Sequence, residues 1–260
     1  MYYVDEKYYQ EGALIMLKFI GTGDAFNTRD GNTSAYLKLG REIVFFDMGE
    51  DVFSKAKNMS LFENVEKVHV FITHLHSDHV GSLGTAIAYL YYGVFEMDKS
   101  KICVYFPSKK IVDLLQCQGV TEDWYTFYIN RWDELFVDST EKYPEYIFEE
   151  NIHTDALNVD GKSNCYSIEL SIPGKGSLYY SGDSAGVKDR LKNRWDYDYI
   201  YHEVTSFKDA VVHTSYETLM QATKGLGPKK KKRIFLMHMD ENFDKEQAVK
   251  DGFSIAGEDE

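Results

Sequence analysis

Fourteen residues, Val68–Gly81 (VHVFITHLHSDHVG), constrain this chain more than any other stretch. From Val68 to Thr73 every residue but His69 is apolar or β-branched, the pattern of a buried strand. A turn follows, and Val80–Leu90, with Ala86, Ala88 and Leu90, reads as a helix. Imidazoles and a carboxylate thus leave together from the C-terminal end of a strand, the place where α/β folds usually carry their chemistry. In an extended segment His74 and His76 project to the same side and can share one metal ion, while Asp78 and His79, past the turn, can face a second. Two close divalent ions suit a hydrolase, because together they activate water and stabilise both the attacking and the leaving oxygen.

The surrounding chain reads as alternating short strands and turns. Strands are expected at residues 14–20, Ala35–Leu39, Ile43–Phe46 and Ile102–Phe106, then at Cys165–Ile172, Leu178–Tyr180, Tyr199–Glu203 and, last, Ile234–Met237. Helices are expected at Lys110–Cys117 and Val187–Asn193. Thr214 and Glu217 have capping-box spacing, which puts His213 at the N-terminus of a further helix that Gly225 and Gly227 end. Asp47, at the end of a strand, reads equally well as a turn former and as outer-shell support for a metal-binding histidine. The aromatic-rich residues 123–136 read as a helix packed on the core or on a partner, with a ligand-stacking platform as the alternative; a lid over the substrate is also compatible. Lys229–Arg233, five consecutive cations, read as a solvated turn, with a nucleic-acid patch as the alternative.

Bulk properties exclude several classes. No apolar run approaches the ~20 residues of a membrane span, and the polar, aromatic N-terminus has no signal-peptide pattern. Three scattered cysteines, Cys103, Cys117 and Cys165, point to reduced thiols in the cytoplasm rather than a disulfide framework. A net charge of −13 argues against broad affinity for nucleic acid, but leaves a small anionic substrate open at a metal site. With no Ser/Gly/Pro-rich linker, residues 1–260 read as one domain.

His153, Asp183 in Ser181-Gly182-Asp183-Ser184, and His238 after the expected last strand each stand at or near a strand end. In that order behind His74-x-His76-x-Asp78-His79, they resemble the metallo-β-lactamase superfamily. The resemblance implies an α/β fold, the four-layer αβ/βα sandwich, with a dinuclear site on the shared edge of two sheets. It implies that His74, His76 and His153 hold one ion and that Asp78, His79 and His238 hold the other. Asp183 would bridge them, and Asp47 would match the superfamily's early strand-end Asp.

Within the superfamily, His202-Glu203-Val204-Thr205 and His213-Thr214-Ser215 resemble the ribonuclease Z branch's H-E-A-T and H-S-T segments, with Val204 in place of the alanine. The branch's pattern makes Glu203 and His213 a dyad that supports the phosphate and protonates the leaving oxygen. Two departures argue against transfer-RNA processing. Only the 29 residues 154–182 lie between His153 and Asp183, where a tRNA-binding arm is usual, and residues 24–29 lack the Pro-containing discriminator loop.

An armless, acidic relative is most similar to the phage anti-Pycsar cyclic nucleotide phosphodiesterases. That implies hydrolysis of 3′,5′-cyclic mononucleotides, such as cCMP, cUMP, cAMP and cGMP, to 5′-monophosphates. It also implies a homodimer in the cytoplasm, that of the host if the chain is phage-encoded, countering cyclic-nucleotide immunity. The expected cofactors are two divalent ions, Zn²⁺ or alternatively Mn²⁺, and the catalytic residues Asp78, His213 and Glu203. The alternatives are a ribonuclease Z-like RNA 3′-end nuclease and a protein that sequesters a nucleotide without cleaving it.

Overall fold

The computed structural model describes residues 15–129, 145–151, 153, 165–185, 187, 191 and 194–258. Among these residues twelve strands form two six-stranded sheets. The first runs β1 (Lys18–Gly21), β2 (Ser34–Leu39), β3 (Glu42–Phe46), β4 (Lys67–Phe71), β5 (Ile102–Tyr105) and β6 (Thr126–Tyr128), in sequence order. The second holds β7 (Glu145–Glu150), β8 (Tyr166–Ile172), β9 (Gly176–Tyr180), β10 (Tyr199–Glu203), β11 (Ile234–Met237) and β12 (Ser254–Ile255), again as sequence neighbours. In each sheet the first two pairings are antiparallel and the remaining three parallel. The two halves therefore share one winding although their sequences do not repeat.

Alternation along the strands separates three apolar layers. Val68 and Val70 pack outward with Val52, Ala56, Leu83, Ile87, Ile111 and Leu115 of three helices, Val52–Asn58, Leu83–Tyr89 and Lys110–Cys117. Phe71, on the other face of β4, joins Phe46, Tyr105, Tyr180 and Tyr201 between the sheets. Ile200, Val204 and Leu236 pack on the far side with Leu219 and Ala248 of helices Tyr216–Ala222 and Lys245–Lys250. The result is the helix–sheet–sheet–helix sandwich. The centre of the sandwich is aromatic: Phe71 stacks on Tyr105 at 4.4 Å between ring centroids, and Phe46 reaches Tyr180 of the opposite sheet at 5.3 Å.

Five local expectations change. The first strand begins only at Lys18, because Ile15 N–H and Leu17 N–H donate across to Lys175 O (3.0 Å) and the Tyr201 hydroxyl (2.9 Å) of the second sheet. The helix after the histidine motif is broken into Ser77–Val80, Leu83–Tyr89 and a wider turn, Leu90–Val94. Residues 123–129 are turns and the edge strand β6 rather than a helix, with Trp124 stacked on Tyr91 at 5.8 Å; residues 130–136 lie outside the described residues. Lys229–Lys231 belong to a short exposed helix, Pro228–Lys231, in which Lys230 pairs with Asp196 at 2.9 Å. Ile234–Met237 is not the last strand, since β12 follows it in parallel. Of the expected helix 187–193, only residues 187 and 191 are described.

Register places the chemistry. Phe46 pairs with Phe71, so Asp47 emerges one residue past the ladder beside the turn after β4. Glu203 pairs with Met237, which leaves His238 just beyond β11 and next to Glu203. Among the described residues no helix is long and apolar enough to cross a membrane.

Candidate metal centre

His74, His76, His153 and Asp183 bring one ligand atom each within 4.8 Å of one another, and Asp78, His79 and His238 do the same. Asp183 faces both groups. Its Oδ2 lies 3.6 Å from His74 Nε2 and 3.7 Å from His153 Nε2, while its Oδ1 lies 3.2 Å from His79 Nε2 and 3.4 Å from His238 Nε2. Asp78 Oδ2 closes the second group at 3.2 Å from His79 Nε2 and 3.3 Å from His238 Nε2. Donors about 2.0–2.1 Å from a tetrahedrally coordinated ion stand roughly 3.3 Å apart, which is the spacing found here.

The chain fixes which nitrogen of each ring faces inward. His153 Nδ1 must carry a proton, because its partner at 2.9 Å is the carbonyl of Val212. His79 Nδ1 meets Asp47 Oδ2 at 2.9 Å, and His74 Nδ1 meets Thr73 Oγ1 at 3.1 Å. In all three rings Nε2 is left to face the group of donors. His74 Nε2 and Asp183 Oδ1 are fully buried without a hydrogen bond, and facing nitrogens approach at 3.3 Å (His79 with His238) and 3.4 Å (His153 with His76). A cation between them would satisfy these atoms together.

Electrostatics prepare part of the same state. Burial lowers His79 and His238, but Asp183, Asp78 and Asp47 raise His79 well above its ordinary value, and Asp183 and Asp78 raise His238, so an ion binding there displaces protons from those two rings. Burial, reinforced by the neighbouring His79, holds the His74 imidazole well below its ordinary value, in the neutral form that ligates. Burial would raise the carboxyls of Asp78 and Asp183, but the surrounding imidazoles overcome it and keep both far below the usual carboxylate range. Asp47 is held by more than its turn. Its Oδ1 accepts from Thr73 N–H at 2.7 Å while Oδ2 orients His79, and its backbone sits at φ +63°. The outer-shell reading of Asp47 is the one the geometry supports.

Beside this centre, His213 Nδ1 lies 2.7 Å from Glu203 Oε2. Glu203 is fully buried, whereas the His213 side chain keeps 30% of its surface. Burial lowers His213, but the hydrogen bond to Glu203 and its charge push it up to about 9. The cap differs from expectation: Ser215, not Thr214, caps helix Tyr216–Ala222 by accepting from Thr218 N–H. Thr214 donates its hydroxyl to Ser184 O instead, so His213 stands two residues before the cap.

Sequence reasoning missed two further residues. Asp240 Oδ2 accepts from Thr205 Oγ1 (2.9 Å) and Ser206 N–H (2.6 Å), and its Oδ1 accepts from Ser206 Oγ (2.8 Å) and Asn242 N–H (3.0 Å). It ties the segment after Glu203 to the segment after His238. Asn151 holds the turn that carries Asp183. An acidic residue two places after a strand-end histidine is a weak signal for the first, and nothing local marks the second.

Comparison with known proteins agrees with this geometry. The family model of anti-Pycsar protein Apyc1 matches residues 15–256. Ribonuclease Z of Methanocaldococcus jannaschii is 27% identical over 90% of this chain and 88% of its own length. Anti-Pycsar protein Apyc1 of Bacillus phage 010DV004 is 24% identical over 93% of each chain. Among solved structures, the metallo-β-lactamase fold protein YhfI of Bacillus subtilis superposes with a TM-score of 0.65 at 15% identity, covering 92% of this chain and 94% of that one. The chain has the metallo-β-lactamase fold, is a metal-dependent hydrolase and is similar to ribonuclease Z over most of its length. With a model match that spans nearly its whole length, it belongs to the anti-Pycsar protein Apyc1 family.

Proposed function

We propose that this protein hydrolyses 3′,5′-cyclic mononucleotides to nucleoside 5′-monophosphates. The observation that carries the reading is the pairing of a two-lobed donor set, shared through Asp183, with the partly exposed His213 held against Glu203. Zn²⁺ suits the imidazole and carboxylate donors, with Mn²⁺ as the alternative. His74, His76 and His153 would hold one ion and Asp78, His79 and His238 the other, with Asp183 between. When bound, the ions neutralise phosphoryl charge and make water a competent nucleophile near neutral pH.

The chain's own residues supply the rest. Asp78 and Asp183 accept hydrogen bonds from the attacking water and fix its line to phosphorus. Glu203 fixes the His213 ring through Nδ1, which leaves Nε2–H free to donate. As the bond from phosphorus to the ribose 3′ oxygen breaks, His213 passes its Nε2 proton to that oxygen. The phosphate stays on the 5′ oxygen, which gives the 5′-monophosphate.

The short connection of 29 residues, 154–182, and a net charge of −13 favour a small anionic substrate over a large RNA. The likeness to ribonuclease Z over most of the chain keeps an RNA 3′-end nuclease as the second reading. The reading carries a homodimer acting in the cytoplasm. Purified protein loaded with Zn²⁺ or Mn²⁺ is given cyclic mononucleotides, cyclic dinucleotides and an unprocessed tRNA, and the products are separated by chromatography. Monophosphates with the tRNA intact are expected. Cleaved tRNA beside intact cyclic nucleotides would establish the second reading, and nucleotide bound but recovered unchanged would point to sequestration.

A further inference from the structure

The turn that delivers Asp183 is held mostly by side chains rather than by a strand ladder. Asn151 Nδ2 donates to two of its carbonyls, Ser181 O and Asp183 O, the latter at 3.1 Å. Cys165 Sγ also donates to Asp183 O at 3.1 Å, and Cys165 O in turn accepts from Asn151 N–H at 2.8 Å. Gly182, at φ +56°, lets the turn lie against Thr73, where an added Cβ would stand 2.8 Å from the Thr73 Cβ. Asn151 is 2% exposed, and two residues further along the same segment is His153.

We propose that Asn151 is a positioning residue for one half of the metal centre: its amide sets the turn carrying Asp183 while its backbone leads into His153. The His74–His76–His153–Asp183 group is then closed by one side chain. A carboxamide is the group this place requires, because one nitrogen offers two N–H donors without a charge to bury. A carboxylate of the same shape would aim only lone pairs at two carbonyl oxygens.

The other half does not depend on it in the same way. His79 is oriented by Asp47, and His238 N–H is held by Thr33 Oγ1 at 3.0 Å, both on the first sheet's side of the site. Loss of Asn151 should therefore weaken the two ions unequally. Outer-shell partners of this kind are worth about 10–100-fold in metal affinity. The inference rests on the dinuclear reading given above.

The test is titration of chelator-stripped protein with Co²⁺, followed by its visible absorption against a competing chelator, beside thermal unfolding of the metal-free protein. Asn151→Ala and Asn151→Asp are compared with Ser254→Ala, which removes a buried hydroxyl bonded to Lys232 O at the far edge of the same sheet. Expected for Asn151→Ala is weaker binding of both ions, because Asp183 serves both halves. The ion of the His74–His76–His153 half is weakened further, by about 10–100-fold, since His153 shifts as well. The metal-free midpoint of Asn151→Ala should fall more than that of Ser254→Ala, because two buried carbonyls lose their donor, and Ser254→Ala should leave the affinity for both ions unaltered. Asn151→Asp, having no donor, should bind no better than Asn151→Ala.

Two ions bound with unaltered affinity by Asn151→Ala would overturn the inference. So would rescue by Asn151→Asp, or equal weakening of both ions in step with a fall in the metal-free midpoint. Unaltered protein that takes up fewer than two ions would overturn the dinuclear reading itself.

Discussion

Glu203 and His213 are joined by a 2.7 Å hydrogen bond, and the carboxylate has further work on both sides of it. Glu203 Oε2 also lies 3.6 Å from His238 Nδ1, and Oε1 accepts from Ser184 N–H, one residue past Asp183. One buried carboxylate thus touches the candidate proton donor, a candidate metal ligand and the turn of the shared Asp183.

His213 packs its ring against His153 and His238, but its Nδ1 is taken by Glu203 and stands 3.8 Å from Asp183 Oδ2, outside both donor groups assigned to the ions. His213→Ala should lower kcat on a cyclic mononucleotide by about 10²–10⁴-fold, the range for a general acid. Two metal ions per chain should remain. Elemental analysis beside steady-state kinetics checks this, and full activity in the variant would remove His213 from the mechanism.

Asp240 is 5% exposed and gathers four donors from two segments. Asp240→Ala leaves those donors without their acceptor, a loss of roughly 2–4 kcal/mol in unfolding free energy. Because the segments follow Glu203 and His238, turnover should fall by more than the unfolded fraction accounts for. Urea unfolding and kcat measured on the same preparation would show it. A variant as stable and as active as the parent protein would contradict the assigned role.

Gly182 combines a positive φ with a tight approach to Thr73 Cβ and Tyr166 O, each 2.8 Å from an added Cβ. Gly182→Ala should cost on the order of 1–3 kcal/mol through backbone strain and crowding. It should also displace Asp183, so metal uptake falls with it. The thermal midpoint and the metal content are the readouts, and neither should stay unchanged.

His69 offers a pH effect away from the metal centre. It is fully buried on β4 between Glu42 Oε2 (2.8 Å) and the Tyr105 hydroxyl (2.9 Å). Burial, aided by Lys67 and opposed by Glu42, lowers it from its ordinary value near 6.5. The unfolded chain then binds the proton first as pH falls, so stability is lost below about 6.5 with a slope of up to about 1.4 kcal/mol per pH unit. In urea unfolding of chelator-stripped protein between pH 5 and 7.5, His69→Gln should show a shallower pH dependence than the parent. Parallel curves would mean that His69 does not titrate in that range.

The histidine motif was legible because its four ligand candidates lie within six residues, 74–79, and strand geometry alone points two of them the same way. His153, Asp183 and His238 could be read only from their order, as each sits alone at a strand end. The helix cap shows where local rules run out. Thr214-x-x-Glu217 and Ser215-x-x-Thr218 both have N-cap spacing, and the choice fell to Ser215 while the Thr214 hydroxyl serves Ser184 O, 30 residues away in sequence. The aromatics at 123–129 likewise entered an edge strand and a ring stack because β5 was there to pair with.

By itself, the sequence determined the kinds of donor, their order and the alternating strands that carry them, since these depend on residue type and short spacing. The tertiary structure alone decided that Asp183 turns one oxygen to each half of the centre, that Glu203 is shared, and that Asn151 and Asp240 tie the loops. Those relations join residues about 20 to 160 positions apart, and a contact across such distances follows from sheet register and packing, which no local pattern encodes.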